Sequence, residues 1–231
     1  MCTNYAAARR DYLFRHYGVT PPDDPWRDEI YKDYAAPVIR RASAAPDERE
    51  ALLATFGMVP RKHIPPGVKV FDTMNARAES VGGKRSFSGA WKKLQLCLIP
   101  CAAFFEPDYE TGKAVRWRIA LAGGAPFAIA GLWREWDEGE AGRSYSFTML
   151  TVNASDHPLM QRFHKPGDEK RSVVIVPPAE YESWLASRST DEARTFLNLY
   201  PAQAMVAEPA PLPSRATPRQ NTDASQQNDP A

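Results

Sequence analysis

Short apolar runs separated by turn residues dominate the hydropathy pattern of this chain. Pro37-Val38-Ile39-Arg40, Leu52-Leu53-Ala54-Thr55-Phe56-Gly57 and Val68-Lys69-Val70-Phe71 read as short strands between Pro, Gly and Asp signals. Leu96 to Ile99 and Ala102 to Phe105 form an apolar run broken at Pro100. Val115 to Leu121, Phe127 to Trp133, Ser144 to Val152 and Ser172 to Val176 add four further strands. Helical spacing appears in four places. Ala6 to Tyr17 carries Tyr12, Leu13 and Tyr17 and is stopped by Gly18 and Pro21-Pro22; Ser88 to Gln95 aligns Ala90, Trp91 and Leu94; Pro178 to Ala186 and Asp191 to Leu199 complete the set. Many short strands with sparse helices predict an α+β single domain, built on a strongly curved, barrel-like antiparallel β-sheet with a few flanking helices.

Composition sets the boundaries. At 231 residues the chain can bury one sizeable core. From Pro201 it is rich in Pro, Ala, Gln, Asn and Asp, so the expectation is a domain over 2–200 and a disordered tail over 201–231, with a safe cut near Ala210. Lys and Arg total 29 against 28 Asp and Glu, so any nucleic-acid site must be a local basic patch rather than a global field. Three cysteines and no secretory signal point to a reducing cytosol without a disulfide framework. No run approaches the roughly 18 apolar residues of a membrane span, so a cytoplasmic protein without a membrane partner is expected.

The chemistry begins at Cys2. Removal of Met1 leaves a residue with both a free α-amine and a thiol, titrating near ~8 and ~8.5. The amine forms a Schiff base with an aldehyde, and the thiol then adds to the imine to close a thiazolidine. Three more islands stand out: Asn75-Ala76-Arg77-Ala78-Glu79, Cys97-Leu98-Ile99-Pro100 running into Phe104-Phe105-Glu106, and His164 followed by Arg171. Singly each has an ordinary reading: Asn75 as a turn residue, Glu106 as a strand end, His164 as a loop residue.

In combination these islands resemble the SRAP (SOS-response-associated peptidase) family of abasic-site processing proteins. The family opens Met-Cys, as Met1-Cys2 does here, and its Asn-Ala-Arg-Ala-Glu motif stands unaltered at Asn75 to Glu79. Its Trp-Gly-Leu-Ile-Pro segment is matched by Phe56-Gly57-Met58-Val59-Pro60. The segment from Arg-Cys-Leu-Ile-Pro-Ala to Phe-Tyr-Glu-Trp is matched by Leu96 through Pro107, and Phe-Ala-Gly-Leu-Trp by Ile129 to Trp133. The similarity runs over roughly residues 2 to 190. Departures are Asn4 where many members have Arg near Cys2, Phe105 for Tyr, Pro107 for Trp, and Ser172-Val173 for Met-Pro.

The resemblance implies that Cys2 traps the aldehyde of an abasic site in single-stranded DNA. Asn75 would hold the sugar or Cys2, Glu106 would shuttle protons, and His164 would assist ring opening. Arg77, on the same side of an extended segment as Asn75, together with Lys84, Arg85, Trp91 and Arg171, would supply the phosphate and base contacts. A monomer with no cofactor and no metal is expected, with AP-lyase activity accessible from the same Schiff base. Alternatives are a thiol peptidase or autopeptidase using Cys2, and a single-stranded DNA-binding module without chemistry. Cys97 and Cys101 are expected as core thiols, since Leu98-Ile99-Pro100 between them is a buried-strand sequence. His157 is the rival to His164, and His16 and His63 read as surface residues.

Overall fold

The computed structural model describes residues 2–43, 45 and 47–212. In chain order the strands and helices are β1 (Asn4–Ala7), α1 (Arg10–Tyr17), β2 (Glu29–Tyr31), β3 (Ala35–Arg41), β4 (Arg49–Phe56), β5 (Asn75–Arg77), α2 (Ser88–Lys92), β6 (Leu96–Asp108), β7 (Val115–Leu121), β8 (Phe127–Asp137), β9 (Arg143–Asn153), β10 (Arg171–Val173), β11 (Ile175–Val176), α3 (Tyr181–Leu185), α4 (Thr190–Thr195) and β12 (Met205–Pro209). Strands β3, β4, β9, β8 and β6 close a five-stranded barrel, because β6 pairs with both β3 and β8. The sheet is mixed rather than purely antiparallel: β4 and β5 both run parallel to β9.

Burial on two faces explains the apolar runs. Successive residues of β6 belong to different cores: Cys97 and Ile99 pack with Tyr5, Phe56, Phe104 and Phe147, whereas Leu96 and Leu98 pack with Leu13, Trp91 and Trp184 under the helices. Trp184 ties α3 down by donating to the Cys97 carbonyl at 3.0 Å. At Gly131 of β8 the layers are so close that an added Cβ would lie 2.7 Å from Ile99 and 2.8 Å from the Thr148 carbonyl oxygen, so only glycine fits.

Strand β6 runs through Pro100 without a break. Its register with β3 is at Leu98, and its register with β1 starts at Cys101, so Pro100 sits where that edge changes partners. The missing proline N–H removes no ladder bond there, and the Pro100 carbonyl accepts from Ala8 N at 3.1 Å. The first half of β6 is barrel wall; the second half carries β1 on one side and β7 on the other.

Three expectations are corrected by tertiary pairing. Ala6 and Ala7 end strand β1 rather than open the expected helix, because pairing with β2 and β6 outweighs their helical spacing, and the helix starts only at Arg10. Val68 to Phe71 is exposed and unladdered: Pro65, Pro66 and Gly67 turn the chain where no neighbouring strand can meet it, leaving Val68, Val70 and Phe71 uncovered. The tail does not begin at Pro201. Met205 is buried, β12 pairs along β7 from Met205↔Leu121 to Pro209↔Trp117, and Arg116 donates to the Ala210 carbonyl at 3.1 Å. Residues 213–231 lie outside the described residues. Ending the chain at residue 200 should therefore lower the melting temperature by several degrees, because β7 loses a paired edge and its Met205 contact. A thermal melt indistinguishable from that of the full chain would show β12 to be dispensable. Among the described residues no helix is long and apolar enough to cross a membrane.

Candidate active site

Four separate elements converge on Cys2. It lies just before β1, whose register sets Asn4 opposite Phe105, and it is 1% exposed. Its thiol donates to the Asn4 carbonyl at 3.2 Å, and its carbonyl accepts from Asn75 Nδ2 at 2.7 Å. Asn75 arrives on β5, held beside β9 by the Asn75↔Met149 register, with buried Ala76 pointing to the opposite side. Asn75 Oδ1 is buried and has no partner among the described residues, so one acceptor beside Cys2 is left to be filled.

Glu106 and His164 form the second half of the site. Glu106 follows Phe104-Phe105 near the end of β6 and is 2% exposed; burial pushes its carboxyl up to about 7. His164 Nε2 lies 3.3 Å from Glu106 Oε2, and burial pushes the imidazole down to about 4. That distance is also an ion-pair distance, but both shifts disfavour charge. The contact therefore joins a neutral imidazole to a carboxyl that burial holds near neutrality. The Cys2 thiol is pushed strongly upward, first by burial and then by the neighbouring Glu106 carboxylate, so it rests as the thiol.

His164 is held in a left-handed backbone conformation, φ 71°, with its N–H donating to the Pro107 carbonyl at 2.9 Å. The loop is pinned by Arg162, which bonds Asp108 at 2.6 Å and Glu110 at 3.0 Å and lies 4.0 Å over the Trp117 ring. Sequence reading did not single out Arg162 or Asp108, although Asp108 falls two residues after Glu106 on the same strand. His157 is buried and structural: its Nδ1 accepts from Leu159 and Met160 N–H groups, and its Nε2 meets the Tyr200 carbonyl oxygen at 2.8 Å. Cys97 and Cys101 are both buried in the core as free thiols.

The departures from the family pattern have local uses. Asn4 donates to Glu29 at 3.3 Å; Glu29 also binds Tyr31 at 2.9 Å and Arg116 at 2.7 Å. The Arg116 guanidinium lies 3.4 Å over the Phe105 ring, so the ring in place of tyrosine serves as a cation platform beside Glu106.

The cation set divides in two. Arg77, Lys84 and Arg85 are exposed, and Arg77 pairs with Glu169 at 3.0 Å rather than with Glu79. Arg171, expected on the surface, is 2% exposed. It bonds Glu79 at 2.9 Å, Glu169 at 2.6 Å and Thr151 through both side chain and carbonyl, so burial turns it into the anchor between the Asn75–Glu79 segment and β9. Trp91, expected as a stacking platform, is also 2% exposed, with the Arg194 guanidinium 5.1 Å over its ring. Its position on α2 faces the core, which helical spacing in the sequence does not distinguish from an exposed aromatic face.

Residues 1–211 match the family model described as SOS response associated peptidase (SRAP). The chain is 31% identical over 122 residues to the abasic site processing protein YobE of Bacillus subtilis (strain 168), 52% of each sequence. It is 30% identical over 151 residues to the abasic site processing protein YoqW of the same organism, covering 62% of this chain and 64% of the relative. The chain thus spans about half to two thirds of the length of these curated relatives. A crystal structure of a protein from Bordetella bronchiseptica is similar over 91% of this chain and 100% of that one, with a TM-score of 0.80 and 37% identity.

Proposed function

The chain belongs to the SOS response associated peptidase (SRAP) family, and from that premise we propose that it processes abasic sites in single-stranded DNA by forming a covalent adduct through Cys2. Once Met1 is removed, the Cys2 amine adds to the C1 aldehyde of the opened sugar. The carbinolamine loses water to give an imine. The thiol then adds across the C=N bond: sulfur bonds to carbon, the S–H proton passes to nitrogen, and a thiazolidine ring closes. One water is lost overall and no oxidant is consumed.

The supporting observation is the hydrogen bond from Asn75 to the Cys2 carbonyl within reach of the Glu106–His164 pair. Glu106, its carboxyl held near neutrality by burial, can donate a proton to the departing hydroxyl, regain it from the iminium nitrogen, and relay the S–H proton to that nitrogen as the ring closes. Neutral His164 suits proton transfer at the ring oxygen. A peptidase reading would instead need Cys2 as the resting thiolate nucleophile, a form that burial disfavours.

The reading is tested by reading the N-terminus with intact-mass spectrometry and then mixing the protein with a single-stranded oligonucleotide carrying one abasic site. A heat-stable species is expected on a denaturing gel, with the mass of protein plus oligonucleotide minus one water. A protein shown to begin at Cys2 that yields no such species would refute the proposal. Arg77 is proposed to contact phosphate on release from Glu169. Arg77→Ala should flatten the log-affinity versus log-salt slope for undamaged single strands by about 0.7, the contribution of one phosphate. An unchanged slope would leave Arg77 as the structural partner of Glu169.

A further inference from the structure

Between α2 and the end of β8 lies a concavity of about 440 Å³ whose wall includes Arg85, Lys93, Arg134 and Glu135. We propose that it is a phosphate-binding pocket, distinct from the Cys2 site. The side chains of Arg85 and Lys93 form no hydrogen bond or ion pair among the described residues, and the Arg134 guanidinium has no acceptor there either. The one carboxylate on the wall, Glu135, is taken by Arg143 at 3.1 Å. Three cations thus face one space without an anion to answer them, in a chain whose other buried or partly buried arginines are mostly paired.

Arg134 is not merely exposed charge, because its position is built. Its guanidinium lies 3.8 Å over the Trp136 ring, and His63 stacks on that ring with centroids 3.9 Å apart and planes 6° apart. Trp136 is in turn locked by its indole N–H, which donates to Ser146 Oγ at 2.8 Å, and Ser146 donates to the Met58 carbonyl at 2.8 Å. His63 is fixed against Glu138 at 3.1 Å. The ring holds Arg134 by its π-face, so the rim of N–H donors stays available for a planar or tetrahedral oxyanion. Burial lowers the Arg134 pKa, the direction expected of a cation that lacks its counter-charge. His63 is therefore more than a surface residue: it is the far wall of this stack.

The ligand chemistry is a phosphate group, either of a nucleic-acid backbone or of a small phosphorylated molecule. Arg85 belongs to the turn that follows the Asn75–Glu79 segment, so a strand bound at Cys2 is the nearer source. That assignment of source rests on the function proposed above; the pocket itself does not.

The test uses the full chain and a Gly89→Glu variant. Gly89 lines the pocket, and a Cβ there meets nothing within 4 Å, so the substitution places a carboxylate in the space without a clash. Lys93→Gln is the second variant. Inorganic phosphate, compared with chloride at matched ionic strength, should raise the melting temperature of the native chain, and Gly89→Glu should abolish that rise. For an undamaged strand of about 20 nucleotides, each variant should reduce the salt slope by about 0.7 or more. Both effects together assign the pocket to the strand; a lost phosphate effect with an unchanged slope assigns it to a small phosphorylated ligand. Neither effect in either variant overturns the pocket. Adduct yield on a very short abasic oligonucleotide should be the same in the native chain and Gly89→Glu, so failure of the Cys2 chemistry is read separately.

Discussion

Cys2→Ala is expected to abolish the heat-stable adduct with an abasic oligonucleotide while leaving non-covalent affinity for undamaged single strands within about twofold. Alanine retains the α-amine, so an imine can still form. Without sulfur no ring closes, and the imine hydrolyses on denaturation. Borohydride added before denaturation should rescue a covalent species from the variant by reducing the imine to a secondary amine. The substitution removes one buried atom from the core cluster around Tyr5 and Phe104, so a stability loss of about 1 kcal/mol is the scale to expect. A heat-stable adduct from Cys2→Ala in the absence of reductant would sink the thiazolidine chemistry.

The second large effect concerns the buried carboxyl. Glu106→Gln and His164→Ala should each slow adduct formation by roughly 10²-fold if they move protons, with affinity for undamaged strands nearly unchanged. Equal losses in both would mark them as structural. The pH profile separates the roles further. The amine must be neutral and Glu106 protonated, and burial holds the Glu106 carboxyl at about 7. The native rate should therefore rise as the amine loses its proton and fall as Glu106 loses its own, with a maximum between pH ~7 and ~8. Glu106→Gln should retain the rise and lose the alkaline fall. A native profile that climbs without a maximum would remove Glu106 as the proton donor.

Stability carries the same signature with a definite sign. The Glu106 pKa is raised on folding, so its contribution is fully present below the ordinary carboxyl range and lost as pH rises through about 7. The His164 pKa is lowered to about 4, so its contribution is present above the ordinary imidazole range and lost as pH falls towards 4. The two slopes oppose each other between ~4.3 and ~6.5, leaving the Glu106 effect uncompensated only near neutrality. Melting temperatures of Glu106→Gln should accordingly lack the decline that the native chain shows from pH ~6.5 to ~7.5.

Most barrel strands were legible because their apolar runs are long enough to be buried on both faces, as at Leu96–Ile99 and Phe127–Trp133. Strands β1, β2 and β12 were not. Each is three to five residues long and is a strand only because a partner edge waits for it, at Phe104 for Tyr5, at Tyr5 for Ile30 and at Ala120 for Val206. Pro100 misled in the opposite direction, since a proline breaks a strand only where its N–H is needed.

The candidate chemistry divides along the same line. Cys2 was legible from its aminothiol chemistry, whereas Asn75, Glu106 and His164 had ordinary readings singly and were pointed to by the resemblance of the whole pattern to the SRAP family. Whether those groups meet, and in which protonation state, was decided by tertiary structure. Desolvation is a property of the surroundings: it keeps the Cys2 thiol protonated and holds Glu106 near neutrality. The cations show the limit most clearly. Arg77 and Arg171 have the same guanidinium, yet one is exposed and the other buried between Glu79 and Glu169, because β5 and β10 flank β9 and only the fold determines which side chain points into that seam.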